Sequence, residues 1–452
     1  MPRRILVIGG LAAGPSAASK AARVDPHADV VLFEQGADIS YGMCEIPYYI
    51  AGDLPEASLI AYTPAQLKQS KRVEARVLHR VEEILPRERS LRVRDLTRNS
   101  VSTERYDRLI IASGSRPCSL GLPGEDALNA FHVKTLDEGV KIKSFIDAGK
   151  PSRAVIVGGG YIGIEMADAL RSRGLEVTML HQYDLPMSGL EMLTRQEVLK
   201  VLAANGVRFV GEAPPVRLQV ENGRVRRVET AKGNFETDLL IIAVGVQPQT
   251  CLAKQAGIRL GETGGISTNP QQQTSATDVY AAGDCCEVKN LVSNRKMYLP
   301  LATLASKQGW VAGENAAGGH ARFAGAIRAV AVRAFKMEIA HVGLGSDEAN
   351  DARFDVAVET ISGSSRVAVM PGSKKVTVTL IADKRTRRLL GANLFGEEGA
   401  VLRANTLAVG IQHGLTVDDM QQWDLAYSPP FTPLWDPILI AANALQKKMF
   451  RK

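Results

Sequence analysis

The stretch RAVIVGGGYIGIEMADALRSRGLEVTMLHQ, residues 153–182, decides the fold. Its apolar run at 154–157 reads as a buried strand, and the residues after the glycines carry the spacing of an amphipathic helix. Gly158, Gly160 and Gly163 between them have the Gly-x-Gly-x-x-Gly spacing of a dinucleotide-binding turn. Such glycines close the turn and let a diphosphate approach the helix N-terminus, where free N–H groups and the helix dipole favour anions. The next strand ends at Leu180, and His181 stands where an acid would hold an unphosphorylated ribose. A carboxylate there repels a 2′-phosphate and His181 does not, so the coenzyme is expected to be NADPH or NADH, with NADPH tolerated.

A second run lies at the N-terminus. In RRILVIGGLAAGPSAASKAARV, residues 3–24, a strand at 5–8 meets Gly9, Gly10 and Gly14 and then a helix. Leu11 replaces the usual middle glycine, which leaves open a plain strand-to-helix turn with packing glycines. Twenty residues beyond Gly14, the strand ADVVLFEQ reaches Glu34, placed to accept a hydrogen bond from a ribose hydroxyl. Two such runs in one chain imply two dinucleotides, and FAD with a nicotinamide is the common pairing.

Length and composition set the bounds. A chain of 452 residues is expected to form roughly three domains. Hydrophobic residues make up 45% and charged residues 23%, and no apolar run approaches the ~20 residues of a membrane span, so no membrane partner is expected. The opening MPRRILVIGG reads as a first strand rather than a signal peptide. Cys44, Cys118, Cys251, Cys285 and Cys286 are too scattered for a disulfide framework, and no Cys-x-x-Cys pair suggests a metal, so a cytoplasmic protein is expected. The net charge of +7 is dispersed, which fits a field favouring anionic small molecules better than a nucleic-acid partner; solubility explains it equally well.

From about residue 326 the pattern changes. FDVAVETI, RVAVMPG and KKVTVTLIAD alternate with period two and read as antiparallel strands. Helices are expected in GEEGAVLRANTLAVGIQHG, in VDDMQQW after a cap at Thr416, and at 437–450. An antiparallel sheet backed by helices makes a third domain.

One cysteine stands apart. In ISYGMCEIPYYI, residues 39–50, Cys44 has Ile39 and Tyr49 five places to either side, so no local partner exists for a Cys-x-x-x-x-Cys disulfide. Ser40, Tyr41, Cys44, Pro47 and Tyr48 resemble the Ser-Phe-x-x-Cys-x-x-Pro-Tyr signature of the coenzyme A disulfide reductases. Their relatives, the NAD(P)H-dependent persulfide and polysulfide reductases and the NADH oxidases and peroxidases, share it. TSATDVYAAGDC, residues 274–285, resembles the closing flavin motif of these enzymes, in which an Asp, here Asp284, grips the ribityl chain. YDRLIIASGSRP and DLLIIAVGVQPQT resemble their two crossover segments, and the likeness continues through LPLATLASKQGWVAGENAAG and DLAYSPPF.

The resemblance implies an α/β fold of two Rossmann-like domains, for FAD (1–115 and 251–325) and NAD(P) (116–250), with a C-terminal α+β dimerisation domain (326–452). Gly9, Gly10, Ala12, Gly14, Glu34 and Asp284 would border FAD. Gly158, Gly160, Gly163 and His181 would border the nicotinamide coenzyme, with Tyr161 as its lid and Glu165 near the flavin. Cys44 would form a mixed disulfide with a small thiol, CoA among the candidates, and its reduced thiolate would attack a disulfide or persulfide. A helix N-terminus and cationic surroundings are expected to lower the Cys44 pKa. Ser40, Lys20, Arg23 and Lys71 match substrate-holding positions, and Tyr427 matches a tyrosine that reaches the active cysteine from the partner subunit of a homodimer.

Two alternatives stand beside this reading. An NADH oxidase or peroxidase would cycle Cys44 through a sulfenate, but those enzymes usually carry His at the fourth place of the first glycine run, where this chain has Ala12. A flavoprotein passing electrons to a protein partner would leave Cys44 structural. The segment TPLWDPILIAA departs from the small-residue stretch of the CoA enzymes. Cys285 and Cys286, which follow Asp284, are read as packing residues, and nothing in the sequence activates Cys118 or Cys251.

Overall fold

A computed structural model describes residues 2–450. Strand Arg4–Ile8 lies between Asp29–Phe33 and Arg108–Ile111, with Glu74–Arg76 and Val279–Ala281 at the edges, all parallel. Ile5, Leu6 and Val7 are wholly buried, as a continuous apolar run must be when both faces of a parallel sheet are covered. Helix Ala13–Val24 covers one face, its small residues Ala13, Ala17 and Ala21 packed with Ala305, Ala312 and Ala316 of helix Ala302–Ala316.

The same plan recurs. Strand Arg153–Val157 is flanked by Glu176–Leu180 and Leu239–Ile242, with Val207–Val210 and Ala130–His132 outside them, again all parallel. Each parallel sheet has a companion antiparallel meander: His79–Leu85, Ser90–Asp95 and Ser100–Arg105 for the first, Pro215–Glu221, Arg224–Thr230 and Gly233–Glu236 for the second. The chain leaves and re-enters the first unit through strands Ser115–Pro117 and Val246–Pro248, which pair with each other antiparallel. Both lie in the two segments read as crossovers.

The third unit is an antiparallel sheet in the order Ala329–Ala334, Met337–Gly343, Leu389–Gly396, Lys375–Asp383 and Val356–Ser364. Helices Ala400–Gln412 and Pro437–Phe450 pack on it, the latter with the bounds expected. Thr416 caps Val417–Met420 through a reciprocal pair with Asp419.

RVAVMPG is not a strand. Ser364 pairs with Lys375, so residues 365–374 form the hairpin connection, and Val369 is 88% exposed. Its alternation meets no neighbouring strand; Met370 N–H closes a turn on Val367 O instead. Three strands that the reading did not pick, at 329–334, 337–343 and 389–396, complete the sheet.

Candidate active site

The two glycine turns are built alike. Gly9 has φ +106° and Gly158 φ +115°, and a Cβ on either would fall 2.1 or 2.2 Å from the carbonyl oxygen of Ala112 or Ala243. Side chains on Gly14 and Gly163 would strike the carbonyls of Gly9 and Gly158 at 1.8 and 2.0 Å, so each helix starts tight against its turn. In the first turn Glu34 Oε2 accepts from Gly10 N at 2.6 Å, and its Oε1 accepts from Gly36 N at 2.8 Å. In the second, His181 Nδ1 accepts from Gly159 N at 3.1 Å. His181 therefore does for its turn what Glu34 does for the first, without a charge. An accepting Nδ1 leaves the proton on Nε2, and burial together with Arg195 holds the ring's pKa down.

The turns differ at the third place. A Cβ at Gly160 would meet nothing within 4 Å, so the approach to helix Tyr161–Ser172 is open, whereas the first turn has Leu11 there and Ala12 before its helix. Tyr161 opens the second helix, 38% exposed, with its phenol pushed up to about 12 by burial.

Asp284 follows strand Val279–Ala281 and accepts from Ser115 Oγ at 2.9 Å. Lys134 Nζ donates to the same Ser115 Oγ at 2.7 Å and lies 3.6 Å from Asp284. Neither Ser115 nor Lys134 was singled out in the sequence. Ser115 sits inside a quoted crossover segment, but Lys134 follows a three-residue edge strand with no motif around it. Ser40 turns in the left-handed region, φ +51°, and donates its N–H to Gly10 O at 2.8 Å. Its Oγ is buried with no partner in the protein. A hydroxyl needing a partner beside the first turn, with carboxylates at Glu34 and Asp284, fits the polar groups of FAD.

Cys44 occupies the turn Met43–Glu45 ahead of helix Ile46–Ala51 and is exposed. The expected lowering of its pKa is not found. Desolvation by the surrounding protein raises the thiol, Glu165 and then Glu45 raise it further, and Lys134 opposes them. The helix behind it has only six residues, and the nearby carboxylates outnumber the one lysine. Glu165 in turn is pushed up to about 7, first by burial; Arg333 opposes and Asp168 adds to the rise. Tyr41 is pushed up to about 12 by burial.

Of the remaining predicted residues, Lys20 and Lys71 are partly buried, and Arg23 and Tyr427 are exposed. Lys20 Nζ is paired with Glu314 at 2.8 Å and sits 3.8 Å over the Trp310 ring; Lys71 lies 5.6 Å over Tyr62, and Arg23 is exposed. Tyr427 is 49% exposed, in a segment that also exposes Phe431, Leu434 and Trp435. Cys285 and Cys286 are buried in the first unit's core, and Cys285 Sγ donates to Ala282 O. No helix among the described residues is long and apolar enough to cross a membrane.

Residues 3–309 match the family described as pyridine nucleotide-disulphide oxidoreductase, and residues 330–436 match its dimerisation domain. The NAD(P)H coenzyme A polysulfide/persulfide reductase of Pyrococcus horikoshii is 34% identical over 452 residues, covering 99% of both chains. The NADH oxidase of Enterococcus faecalis is 31% identical over 449 residues, 99% of this chain and 100% of that one. Among solved structures, reduced CoADR-RHD of Bacillus anthracis matches with TM-score 0.96 at 31% identity, covering 99% of this chain and 81% of that chain.

Proposed function

This chain belongs to the pyridine nucleotide-disulphide oxidoreductases, and on that premise we propose that it uses NAD(P)H and FAD to reduce a CoA disulfide, CoA persulfide or polysulfide through Cys44. The observation that carries this is the exposed Cys44 thiol, held in the turn ahead of helix Ile46–Ala51 four residues from Ser40, whose N–H is bound to Gly10 O of the first glycine turn. Residues 1–115 and 251–325 hold FAD in this reading, residues 116–250 hold the coenzyme, and residues 326–452 pair two chains.

Bound FAD would carry two electrons from the nicotinamide to sulfur. Glu34 and Asp284 bind and orient it, the buried Ser40 hydroxyl, matched in the sequence to a substrate position, lies beside the same turn and is free to serve either, and the open approach at Gly160 admits the coenzyme diphosphate. Cys44 holds a small thiol as a mixed disulfide; once reduced, its sulfur attacks the incoming S–S bond. Lys134 is the cation that favours the Cys44 thiolate, against Glu165 and Glu45. Lys20, Arg23 and Lys71 offer positive charge to CoA phosphates, with Lys20 leaving Glu314 to do so. Tyr427 of a partner subunit supplies a proton to a leaving thiolate.

The test is the intact mass of the purified protein under non-reducing, denaturing conditions beside the Cys44→Ser variant. A CoA-sized adduct on the wild type alone supports the reading. An oxygenated Cys44, with NADH oxidised rapidly by oxygen when no disulfide is added, favours the oxidase reading that the Enterococcus relative brings. Ala12 speaks against that second reading.

A further inference from the structure

A small cavity of about 40 Å³ lies where three parts of the chain meet. Tyr48 and Asp53 reach it from the Cys44 helix and the turn after it, Glu165, Asp168 and Ser172 from helix Tyr161–Ser172, and Arg333 from strand Ala329–Ala334. A space of this size has room for a few waters, and its lining is polar enough to hold them. Glu165 and Asp168 are three residues apart and share one helix face. Asp168 is fixed by accepting Phe335 N–H at 3.0 Å. Arg333 stands 5.0 Å over the Tyr48 ring and 4.0 Å from Asp53, whose side chain is 57% exposed at the mouth. Pro47 and Tyr48, on the helix that follows Cys44, line the cavity together with Glu165, whose charge raises the Cys44 thiol.

Disulfide reduction needs such an opening. In NAD(P)H + H⁺ + R–S–S–R′ → NAD(P)⁺ + R–SH + R′–SH, two electrons leave the nicotinamide with one hydrogen. The S–S bond breaks, and the second hydrogen enters as a proton from solvent. We propose that the Glu165–Asp168 pair, faced by Arg333 across the cavity and open to water past Asp53, is the route by which that proton reaches the Cys44 side of the site. Glu165 carries the proton, and Asp168 and Arg333 position and tune it. The inference rests on the reductase reading above.

The charged and titratable groups around this line are Cys44, Glu45, Tyr48 and Asp53 on the cysteine side, Asp168 on the same helix and Arg333 on the sheet, with Lys134 and Asp284 beyond Cys44. Arg173, farther along the helix, is bound to Ile50 O and Asp147. Burial lifts Glu165 to about 7, so the proton it donates is present below that pH and lost as pH rises through it. Turnover therefore falls on that limb.

The experiment measures, on the holoenzyme, the pH profile of NADPH-dependent CoA disulfide reduction and the infrared titration of the Glu165 carboxyl, taken as the difference from Glu165→Gln. Glu165→Gln is expected to lower kcat by ~10²-fold and abolish the limb. Asp168→Asn keeps an oxygen for Phe335 N–H but removes a like charge, so limb and midpoint move to lower pH by roughly half to one unit. Arg333→Met removes the opposing cation, so both move to higher pH, and Arg333→Lys leaves them in place. Shifts in one direction only, or an infrared midpoint unmoved by either variant, overturn the array. Opposed midpoints with a limb that ignores them overturn the proton route. If the wild type reduces no CoA disulfide, the substrate reading fails alone. The limb is then read with polysulfide or dioxygen, whose reduction also takes up a proton.

Discussion

At the scale of single residues, His181 and Cys44 part company. The place of His181 at the end of strand Glu176–Leu180 was readable by counting from the glycine turn, and the structure adds how it works, through a neutral ring accepting from Gly159 N–H. With no carboxylate at that place, NADPH is expected to be used with kcat/KM within ~10-fold of NADH. His181→Glu should favour NADH over NADPH by ~10-fold or more, read as the ratio of kcat/KM values, through repulsion of the 2′-phosphate. An unchanged ratio would place the selection elsewhere on the loop. The Cys44 pKa was misread because its strongest charged neighbour, Glu165, is 121 residues away in the chain. Lys134 was missed for the same reason: its link to Asp284 through Ser115 has no trace in local pattern.

At the scale of elements, period-two alternation identified Val356–Ser364 and Lys375–Asp383 but misassigned RVAVMPG, because alternation says that a segment has two faces and not that a strand lies beside it. The glycine turns were legible because their backbone needs are absolute: no other side chain fits at Gly9 or Gly158. Strand Met337–Gly343 carries a testable element. His341 is 1% exposed there, with Nδ1 3.0 Å from Asn393 Nδ2 and Nε2 3.1 Å from Gly343 O. Burial lowers its pKa from 6.5 to about 4. A folded pKa below the unfolded one means that the unfolded chain takes the proton first. This contribution to stability is present above about pH 6.5 and is lost as pH falls toward 4. His341→Gln is expected to flatten the fall in urea midpoint across that window, and a slope identical to the wild type would refute the assignment.

At the scale of the whole molecule, the third unit exposes Leu402, Phe431, Leu434 and Trp435 at 75, 77, 70 and 55%, within or close to the stretch that matches the dimerisation domain. Apolar side chains gathered in this way suit the face of a second copy. If Tyr427 serves the partner's site, chains carrying Cys44→Ser and chains carrying Tyr427→Phe, each weak alone, will form mixed dimers with one intact site. Co-expressed and purified by two tags, these dimers are expected to show about half the wild-type turnover, since one of two equivalent sites is whole. Mixed dimers no better than the Tyr427→Phe parent would mean that Tyr427 acts within its own chain or not at all.

The sequence by itself determined the two glycine turns, their acid and imidazole partners, the order of the units and the solitary Cys44. Each of these rests on backbone sterics or on spacing along a single strand–turn–helix unit. Only the tertiary structure decided which strands complete the third sheet, which charges set the Cys44 and Glu165 protonation, and that Ser115, Lys134, Asp168 and Arg333 gather around them. Those depend on distances through space that no local pattern records, as between Cys44 and Glu165 or Lys134 and Asp284, and Coulomb interactions and desolvation follow distance and burial rather than sequence position.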